Sequence, residues 1–142
     1  MLMNEIEEIG LVDSNILVYF VDQNNKEKNL RARKFLSKIM ENPKNFAIAV
    51  QNLRELSAVA IKKKLANSEE LDEYLGFLEN AFWKTLQDNN QDTRAAVAIS
   101  FSTKTKFWDC LLVATMMRNG IRKIYTEDLD DFNALGVKTE NP

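Results

Sequence analysis

Apolar residues recur along much of the chain with the spacing of amphipathic helices. Between about Lys26 and Glu41 they fall at positions i, i+3, i+4, i+7 and i+8, on one helical stripe. The pair Asn42-Pro43 is expected to end this helix, because the residue before a proline disfavours helical backbone. The same periodicity, with suitable cap residues, predicts further helices at 14–22, 52–64, 67–78, 92–101 and 107–119.

Short apolar runs separate these helices and are typical of buried β-strands. They lie at 10–13, 46–50 and 121–126, with 82–86 and an edge strand at 137–140 as further candidates. Strands that are apolar throughout are typical of parallel sheets buried on both faces. The alternation of strands and helices therefore predicts an α/β domain around a mostly parallel sheet of four or five short strands.

The amino-acid composition narrows the chemistry open to this domain. With 142 residues, of which 45% are apolar, the chain has the usual size of one domain with a core. Histidine is absent, which excludes Ser-His-Asp and Cys-His catalysis and histidine-ligated zinc. The lone Cys110 can form no internal disulfide and is expected to be a small buried residue. Hydrolytic chemistry must therefore use carboxylates, lysines, hydroxyls or a hard metal ion.

Charge and hydropathy lead us to expect a cytoplasmic protein. The 21 acidic and 19 basic residues give a net charge of −2, whereas modules that only bind nucleic acid are usually basic. Residues 1–10 contain three glutamates and no basic residue, unlike a secretory signal. No run of about 18 apolar residues occurs, so no membrane span is expected. A single cysteine fits a reducing compartment.

Acidic residues follow several of the predicted strands. Asp13 ends the first strand, Glu55 follows the second, and Asp128 lies just past 121–126. Ligand sites in open α/β sheets form outside the carboxyl ends of the strands, so these acids can converge there. Asp109 starts a helix and has apolar same-face neighbours, where an unpaired carboxylate is costly. The four acids together therefore predict one site.

Several carboxylates in one crevice repel one another and require either raised pKa values or a cation. No histidine is present to supply the positive charge. Mg²⁺ and Mn²⁺ prefer oxygen ligands and are commonly held by a few carboxylates together with substrate phosphate. The pattern therefore favours metal-dependent phosphate-ester chemistry.

Each acid also has an ordinary structural interpretation. Asp13 is a suitable N-cap for the helix that follows it. Glu55 completes the capping-box pattern that begins at Asn52. Asp109 stands where a helix dipole favours an acid. Asp128 is one of four acids in a short segment that resembles a solvated loop. Only their joint placement favours a shared site.

Four sequence blocks carry a resemblance to a known family. Asp13 and Asn15 match its D-x-N motif, Glu55 the acid of its second block, Asp109 its F-W-D element, and Thr126 and Asp128 its T-x-D motif. In this order, over roughly residues 10–139, the blocks resemble the PIN-domain nucleases, and among them the VapC-type toxins of VapBC toxin–antitoxin pairs. The resemblance implies a single PIN-like domain over residues 1–142, with 1–9 as an N-terminal extension. Asp131 is the alternative to Asp128 as the fourth acid.

A nuclease reaction follows from this resemblance as an expectation. PIN-domain relatives are divalent-metal-dependent endoribonucleases that hydrolyse RNA phosphodiester bonds. By analogy, Asp13, Asp109 and Asp128 would bind Mg²⁺ or Mn²⁺. Glu55 would orient the attacking water or bind a second ion.

Further residues are expected around the acids. Asn15 and Thr126 would hold the metal-binding carboxylates in place. Lys104 and Lys106 flank the entry to the Asp109 helix and are candidates for contacts with the substrate backbone. Trp108 is interpreted as a core residue and not as a base-stacking surface.

The resemblance also implies partners. They are RNA, a small VapB-like antitoxin and a second copy of the chain in a homodimer. A groove between the early helices is the expected antitoxin site, so the apolar stripe at 35–40 is either core or partner surface. The residues themselves leave two alternatives open: a processing nuclease without an antitoxin, and a degenerate PIN module that only binds partners.

Overall fold

A computed structural model describes residues 8–142, which form five short strands and seven α-helices. In chain order they are β1 (Gly10–Val12), α1 (Ser14–Tyr19), α2 (Lys26–Glu41), β2 (Phe46–Ala49), α3 (Val50–Lys62), α4 (Ser68–Ala81), β3 (Lys84–Leu86), α5 (Asn90–Thr103), α6 (Phe107–Arg118), β4 (Lys123–Tyr125), α7 (Leu129–Asn133) and β5 (Lys138–Glu140). The predicted N-terminal extension, residues 1–9, lies mostly outside the described residues. No helix within 8–142 has both the length and the apolar character needed to cross a membrane.

The five strands form one sheet in the order β3-β2-β1-β4-β5, and every neighbouring pair is parallel. β1 lies at the centre, where Leu11 is in register with Ala47 of β2 and with Ile124 of β4. The predicted α/β fold with a mostly parallel sheet of four or five short strands is therefore confirmed.

Helices cover both faces of the sheet, which explains why β1 and β2 are apolar throughout. Side chains alternate between the two faces along a strand. Val12 and Ile48 face α1–α4, whereas Leu11, Ala47 and Ile124 face α6 and α7. Both sets are fully buried, so the apolar positions of these strands pack against helices on either face.

The apolar stripe of α2 belongs mainly to the core. Phe35 and Ile39 are buried, and the Phe35 ring packs on the rings of Phe46 and Tyr125 with centroids 5.4 and 4.9 Å apart. Met40, at the end of the stripe, is 57% exposed. The buried residues of this stripe are therefore part of the core, as one of the two interpretations predicted.

Gly10 allows Tyr125 to reach this aromatic cluster. A β-carbon at Gly10 would lie 2.4 Å from Cε2 and 2.9 Å from Cδ2 of the Tyr125 ring. Because the ring is held between Phe35 and Phe46, it has little room to move away. The start of β1 therefore requires a residue without a side chain.

An ion pair joins α5 to α6 on the outside of the sheet. Asp92, which is 2% exposed, accepts hydrogen bonds from Nε and Nη2 of Arg118 at 2.8 and 2.9 Å. The same carboxylate closes the capping box of α5 with Asn89. Arg118 and that capping box hold the pKa of Asp92 below its ordinary value, although burial opposes this effect. The pair fixes the helix that carries Asp109.

The structure corrects two local predictions. The acidic segment after β4 is not only a loop, because residues 129–133 form α7 and bury Phe132 against the sheet. The helix predicted from Asn52 begins two residues earlier, at Val50. Asn52 is therefore the third residue of α3, and Glu55 lies in its second turn and not in its first.

Candidate active site

The predicted acids lie around the carboxyl ends of β1 and β4. Asp13 immediately follows β1, and Thr126 immediately follows β4. Since these two strands are adjacent and parallel, their carboxyl ends bring the two residues together across the sheet. Glu55 approaches from α3, and Asp109 approaches from the first turn of α6.

Asp13 is the most constrained of the acids. It is 6% exposed, and its Oδ1 accepts hydrogen bonds from the backbone N–H of Ser14 at 2.8 Å and from Nδ2 of Asn52 at 3.4 Å. Its Oδ2 accepts a hydrogen bond from the Thr126 hydroxyl at 2.8 Å. Asp13 is also the N-cap of α1, so the capping interpretation is confirmed. The cap uses only Oδ1. Asp13 can therefore cap α1 and still take part in a site at the end of β1.

Asn15 and Thr126 connect Asp13 to Asp128. Nδ2 of Asn15 donates to Oγ1 of Thr126 at 3.4 Å and to Oδ2 of Asp128 at 3.3 Å. The backbone N–H of Asp128 donates to the same Thr126 hydroxyl oxygen at 3.0 Å. The D-x-N and T-x-D motifs therefore meet in one hydrogen-bond network, although they are more than 110 residues apart in the chain.

Glu55 has no part in capping its helix. The backbone N–H of Ala49 donates to Oδ1 of Asn52 at 2.9 Å, so Asn52 occupies the position that the capping-box interpretation assigned to Glu55. That interpretation is therefore wrong. Asn52 is fully buried and also contacts Asp13, so it links the start of α3 to the site.

The acids influence one another electrostatically. Burial raises the pKa of Glu55 to about 7, and the negative charges of Asp13 and Asp109 add to the effect. Burial also raises the pKa of Asp13 to about 6, against the hydrogen bonds from Thr126 and Ser14. These carboxylates therefore share one site in which negative charge is incompletely balanced.

Asp109 links this group to α7. Burial raises the pKa of Asp109, the charges of Asp131 and Asp128 raise it further, and the neighbouring Lys106 opposes them. Both candidates for the fourth acid therefore lie close enough to affect Asp109. Both aspartates are exposed, but Asp128 accepts a hydrogen bond from Asn15, whereas no hydrogen bond among the described residues joins Asp131 to the site.

Glu127 lies between the two motif residues of T-x-D but points to a different group. Its carboxylate accepts hydrogen bonds from the Tyr19 hydroxyl at 2.6 Å and from the Lys28 ammonium group. These contacts anchor the turn after β4 to α1 and α2. The sequence contains no local signal for this role, because Tyr19 and Lys28 are about 100 residues away.

The two lysines near α6 differ in their relation to the acids. Lys106 precedes α6 and lowers the pKa of Asp109 by its charge. Lys104 ends α5 in the left-handed conformation with φ of 58° and is exposed. No hydrogen bond or ion pair among the described residues joins Lys104 to the four acids.

Trp108 is not a core residue. Its side chain is 62% exposed, because the buried stretch of α6 begins only at Cys110. Cys110 is fully buried, and this burial raises the pKa of its thiol, as expected for a small apolar residue. Trp108 therefore offers an exposed indole in the first turn of α6, one residue before Asp109.

The donor set of this site fits a hard cation. It consists of carboxylate oxygens whose mutual repulsion a divalent charge would relieve. In the arrangement seen, no three Asp, Glu or Cys side chains among residues 8–142 are grouped closely enough to hold a metal ion. Binding would therefore require side-chain movement of the less constrained acids toward Asp13.

Comparisons with solved structures support the same fold. The toxin VapC20 of Mycobacterium tuberculosis, described as cleaving the Sarcin-Ricin loop, superposes with a TM-score of 0.70 at 14% identity, over 89% of this chain and 95% of that one. A DNA-bound VapBC from Salmonella typhimurium superposes with a TM-score of 0.66 at 21% identity, over 94% of this chain and 97% of that one. VapBC2 of Rickettsia felis, bound to a DNA fragment from its promoter, superposes with a TM-score of 0.67 at 15% identity, over 93% of this chain and 97% of that one.

Sequence comparisons identify the family. A search of curated proteins gives no match. The family model of the PIN domain matches residues 10–138, which include all four predicted acids. The match covers nearly the whole chain and agrees with the parallel sheet described above. The chain therefore belongs to the PIN-domain family.

Proposed function

We propose that this protein is a divalent-metal-dependent endoribonuclease that hydrolyses RNA phosphodiester bonds. The observation that carries the proposal is the hydrogen-bonded group of Asp13, Thr126, Asn15 and Asp128, with Glu55 and Asp109 at electrostatic distance. Its partly uncompensated negative charge suits a hard cation, and its position at the strand ends suits an incoming phosphate.

Each acid has a distinct proposed role. Asp13, Asp109 and Asp128 would hold Mg²⁺ or Mn²⁺. The bound ion would activate a water molecule and stabilise charge on the phosphate. Glu55, whose pKa is raised to about 7, is suited to accept a proton from the attacking water near neutral pH.

Neighbouring side chains would keep these acids in position. The Thr126 hydroxyl orients one oxygen of Asp13 at 2.8 Å, and Asn15 orients Asp128. Lys106 lies near Asp109 and is suited to contact the substrate backbone. Lys104, an exposed residue at the end of α5, is the second lysine proposed for this contact.

RNA as the substrate and an antitoxin as the partner are supported by similarity. One structural neighbour is described as a toxin that cleaves the Sarcin-Ricin loop, and two others are VapBC proteins in complex with DNA. We therefore propose that the protein is the toxin of a toxin–antitoxin pair acting in the cytoplasm, with a small VapB-like antitoxin. We also retain the proposal of one PIN-like domain over residues 1–142.

Apolar side chains left exposed on the helices are candidates for the proposed contacts. On α2, Leu30 and Met40 are 56% and 57% exposed and are suited to the antitoxin. On α5, Val97 and Phe101 are exposed, Phe101 by 84%, and are suited to a second copy in a homodimer. A processing nuclease without an antitoxin would use the same acids and differ only in these partners.

Cleavage of RNA by purified protein tests the enzymatic proposal. Wild-type protein should cleave single-stranded RNA in Mg²⁺ or Mn²⁺ and not in EDTA, with product ends that map to defined sites. Asp13→Asn should abolish cleavage, whereas the exposed Asp130→Asn is a matched control that should retain it. Failure of the wild type to cleave any RNA in either metal would favour the partner-binding module.

Growth separates a toxin from a processing enzyme. Expression of the wild type should arrest growth, and Asp109→Asn should relieve the arrest without lowering protein levels. Co-expression of a small gene product encoded beside this gene should also relieve it. Active enzyme that leaves growth unaffected would support the processing nuclease.

A further inference from the structure

A cleft between α3 and α6 opens beside the acids, and we name it the α3–α6 cleft. It has a volume of about 400 Å³ and is lined by Arg54, Glu55 and Ala58 of α3 and by Trp108 and Leu111 of α6, among others. This volume falls in the range of about 300–1,000 Å³ that is usual for small-molecule sites. The cleft is therefore large enough for a planar aromatic ligand.

The α3–α6 cleft is continuous with the candidate active site. Glu55 is part of both the cleft and the candidate active site. Its side chain lines the cleft, and the charges of Asp13 and Asp109 raise the pKa of its carboxyl group. Trp108 directly precedes Asp109 in the chain. A nucleotide whose phosphate lay at the acids would therefore place a neighbouring base at the cleft.

The walls of the cleft suit a nucleobase. Trp108 presents an indole that is 62% exposed, and the ring is supported by an edge-on contact with Phe107 at a centroid distance of 5.2 Å. Ala58 and Leu111 add apolar surface. The Arg54 side chain is 70% exposed, and its guanidinium is paired with Asp88, which also lines the cleft, at 3.6 Å. Indole and guanidinium planes both stack on bases.

Gln51 lines the cleft and is hydrogen-bonded to the backbone of Trp108. Its Nε2 donates to the backbone carbonyl of Trp108 at 2.8 Å. Its Oε1 is the buried side-chain oxygen without a hydrogen-bond partner among the described residues, and Gln51 itself is 6% exposed. An unpaired buried acceptor is costly. Once the Gln51 amide turns toward the cleft that it lines, the ring N–H or amino group of a base would supply the missing donor.

We propose that the α3–α6 cleft binds one base flanking the scissile phosphate, with Trp108 as its stacking surface and Gln51 at its edge. The inference rests on the proposed nuclease function and adds a substrate-positioning site to it. The placement of the cleft beside Glu55 and Asp109 favours the substrate over other occupants, such as a protein partner.

Indole fluorescence tests binding without requiring catalysis. The chain has two tryptophans, so Trp83→Phe leaves Trp108 as the only indole, and Trp108→Phe leaves Trp83. Trp83 is 49% exposed and does not line the cleft, which makes it a matched control. Titration with a short single-stranded RNA in EDTA should quench fluorescence saturably in Trp83→Phe and leave it unchanged in Trp108→Phe. Equal responses from both variants would overturn the proposal.

Cleavage of abasic RNA tests the same site during the reaction. Removing the base at one position beside the mapped cleavage site should lower wild-type kcat/KM about 5- to 150-fold, as expected for loss of one stacked base. Trp108→Ala should lower kcat/KM by a similar factor on intact RNA. On the abasic RNA, the same substitution should cause little further loss relative to the wild type. Trp108→Phe should recover most of the rate. Additive losses from the protein and RNA changes would refute a contact between them.

The outcomes separate this inference from the proposed function. Absence of cleavage by the wild type would refute the nuclease, and the fluorescence titration would still decide whether the cleft binds RNA. Cleavage that is independent of Trp108 would refute the base site alone. If iodide quenching of Trp108 fell with rising protein concentration in the absence of RNA, a second copy would cover the cleft and the proposal would be wrong.

Discussion

Replacing Asp13 with asparagine should stabilise the metal-free protein at neutral pH while it removes the proposed activity. Asparagine is as good an N-cap as aspartate, so the start of α1 should be unaffected. The substitution removes a buried negative charge from a group of acids that also includes Glu55, Asp109 and Asp128. It also places an amide nitrogen where Oδ2 accepts the hydrogen bond from Thr126. Its effect on stability therefore measures the electrostatic cost of the site.

The size and sign of the effect follow from the pKa of Asp13. Burial raises this pKa from 3.8 to about 6 in the folded protein, which corresponds to about 3 kcal/mol at about 1.4 kcal/mol per pH unit. Because the folded-state pKa is the higher one, the penalty is complete above about pH 6 and disappears as the pH falls toward 3.8. Because an amide nitrogen cannot accept the hydrogen bond that Thr126 donates to Oδ2, its loss should destabilise the variant by about 1 kcal/mol. The expected net gain at pH 8 is therefore about 2 kcal/mol.

Urea unfolding in EDTA measures this gain directly. Asp13→Asn should unfold with a higher free energy than the wild type at pH 8, and the gain should vanish near pH 4. Asp130→Asn, which removes an exposed carboxylate of α7, should show no such pH-dependent gain. Saturating Mg²⁺ should reverse the order, because an ion held by Asp13 stabilises only the wild type. A gain that is absent at pH 8, or equally large at pH 4, would refute the reasoning.

Three further substitutions test the network and the fold. Thr126→Val removes the hydroxyl that donates to Asp13 and should lower RNA cleavage about 10- to 100-fold, whereas Thr126→Ser should retain it in the same assay. Gly10→Ala places a β-carbon against the Tyr125 ring and should lower the free energy of unfolding by about 1–3 kcal/mol in urea, so an unchanged midpoint would contradict the packing. Asp92→Asn weakens the charged contact between α5 and α6 and should cost about 1.5–3 kcal/mol, with high salt reducing the difference from the wild type.

Local patterns in the sequence were sufficient to predict most of the fold. The apolar runs around Leu11, Ile48 and Ile124 predicted strands buried on both faces, and the parallel sheet confirms this interpretation. The stripe that contains Phe35 and Ile39 predicted α2. These elements were predictable because hydrophobic periodicity is a local property that burial on a sheet or helix face imposes directly.

The sequence by itself therefore determined the order of strands and helices apart from α7, the lack of histidine chemistry and the placement of Asp13 at a strand end. The tertiary structure decided how neighbouring side chains divide their roles. Asn52, not Glu55, caps α3; Glu127 turns toward Lys28 and Tyr19; and Trp108 lies in an exposed cleft. The cap of α3 is a local contact whose position depends on the residue at which the helix starts. The roles of Glu127 and Trp108 depend on which distant helix packs beside them, and such contacts leave no periodic signal in the chain.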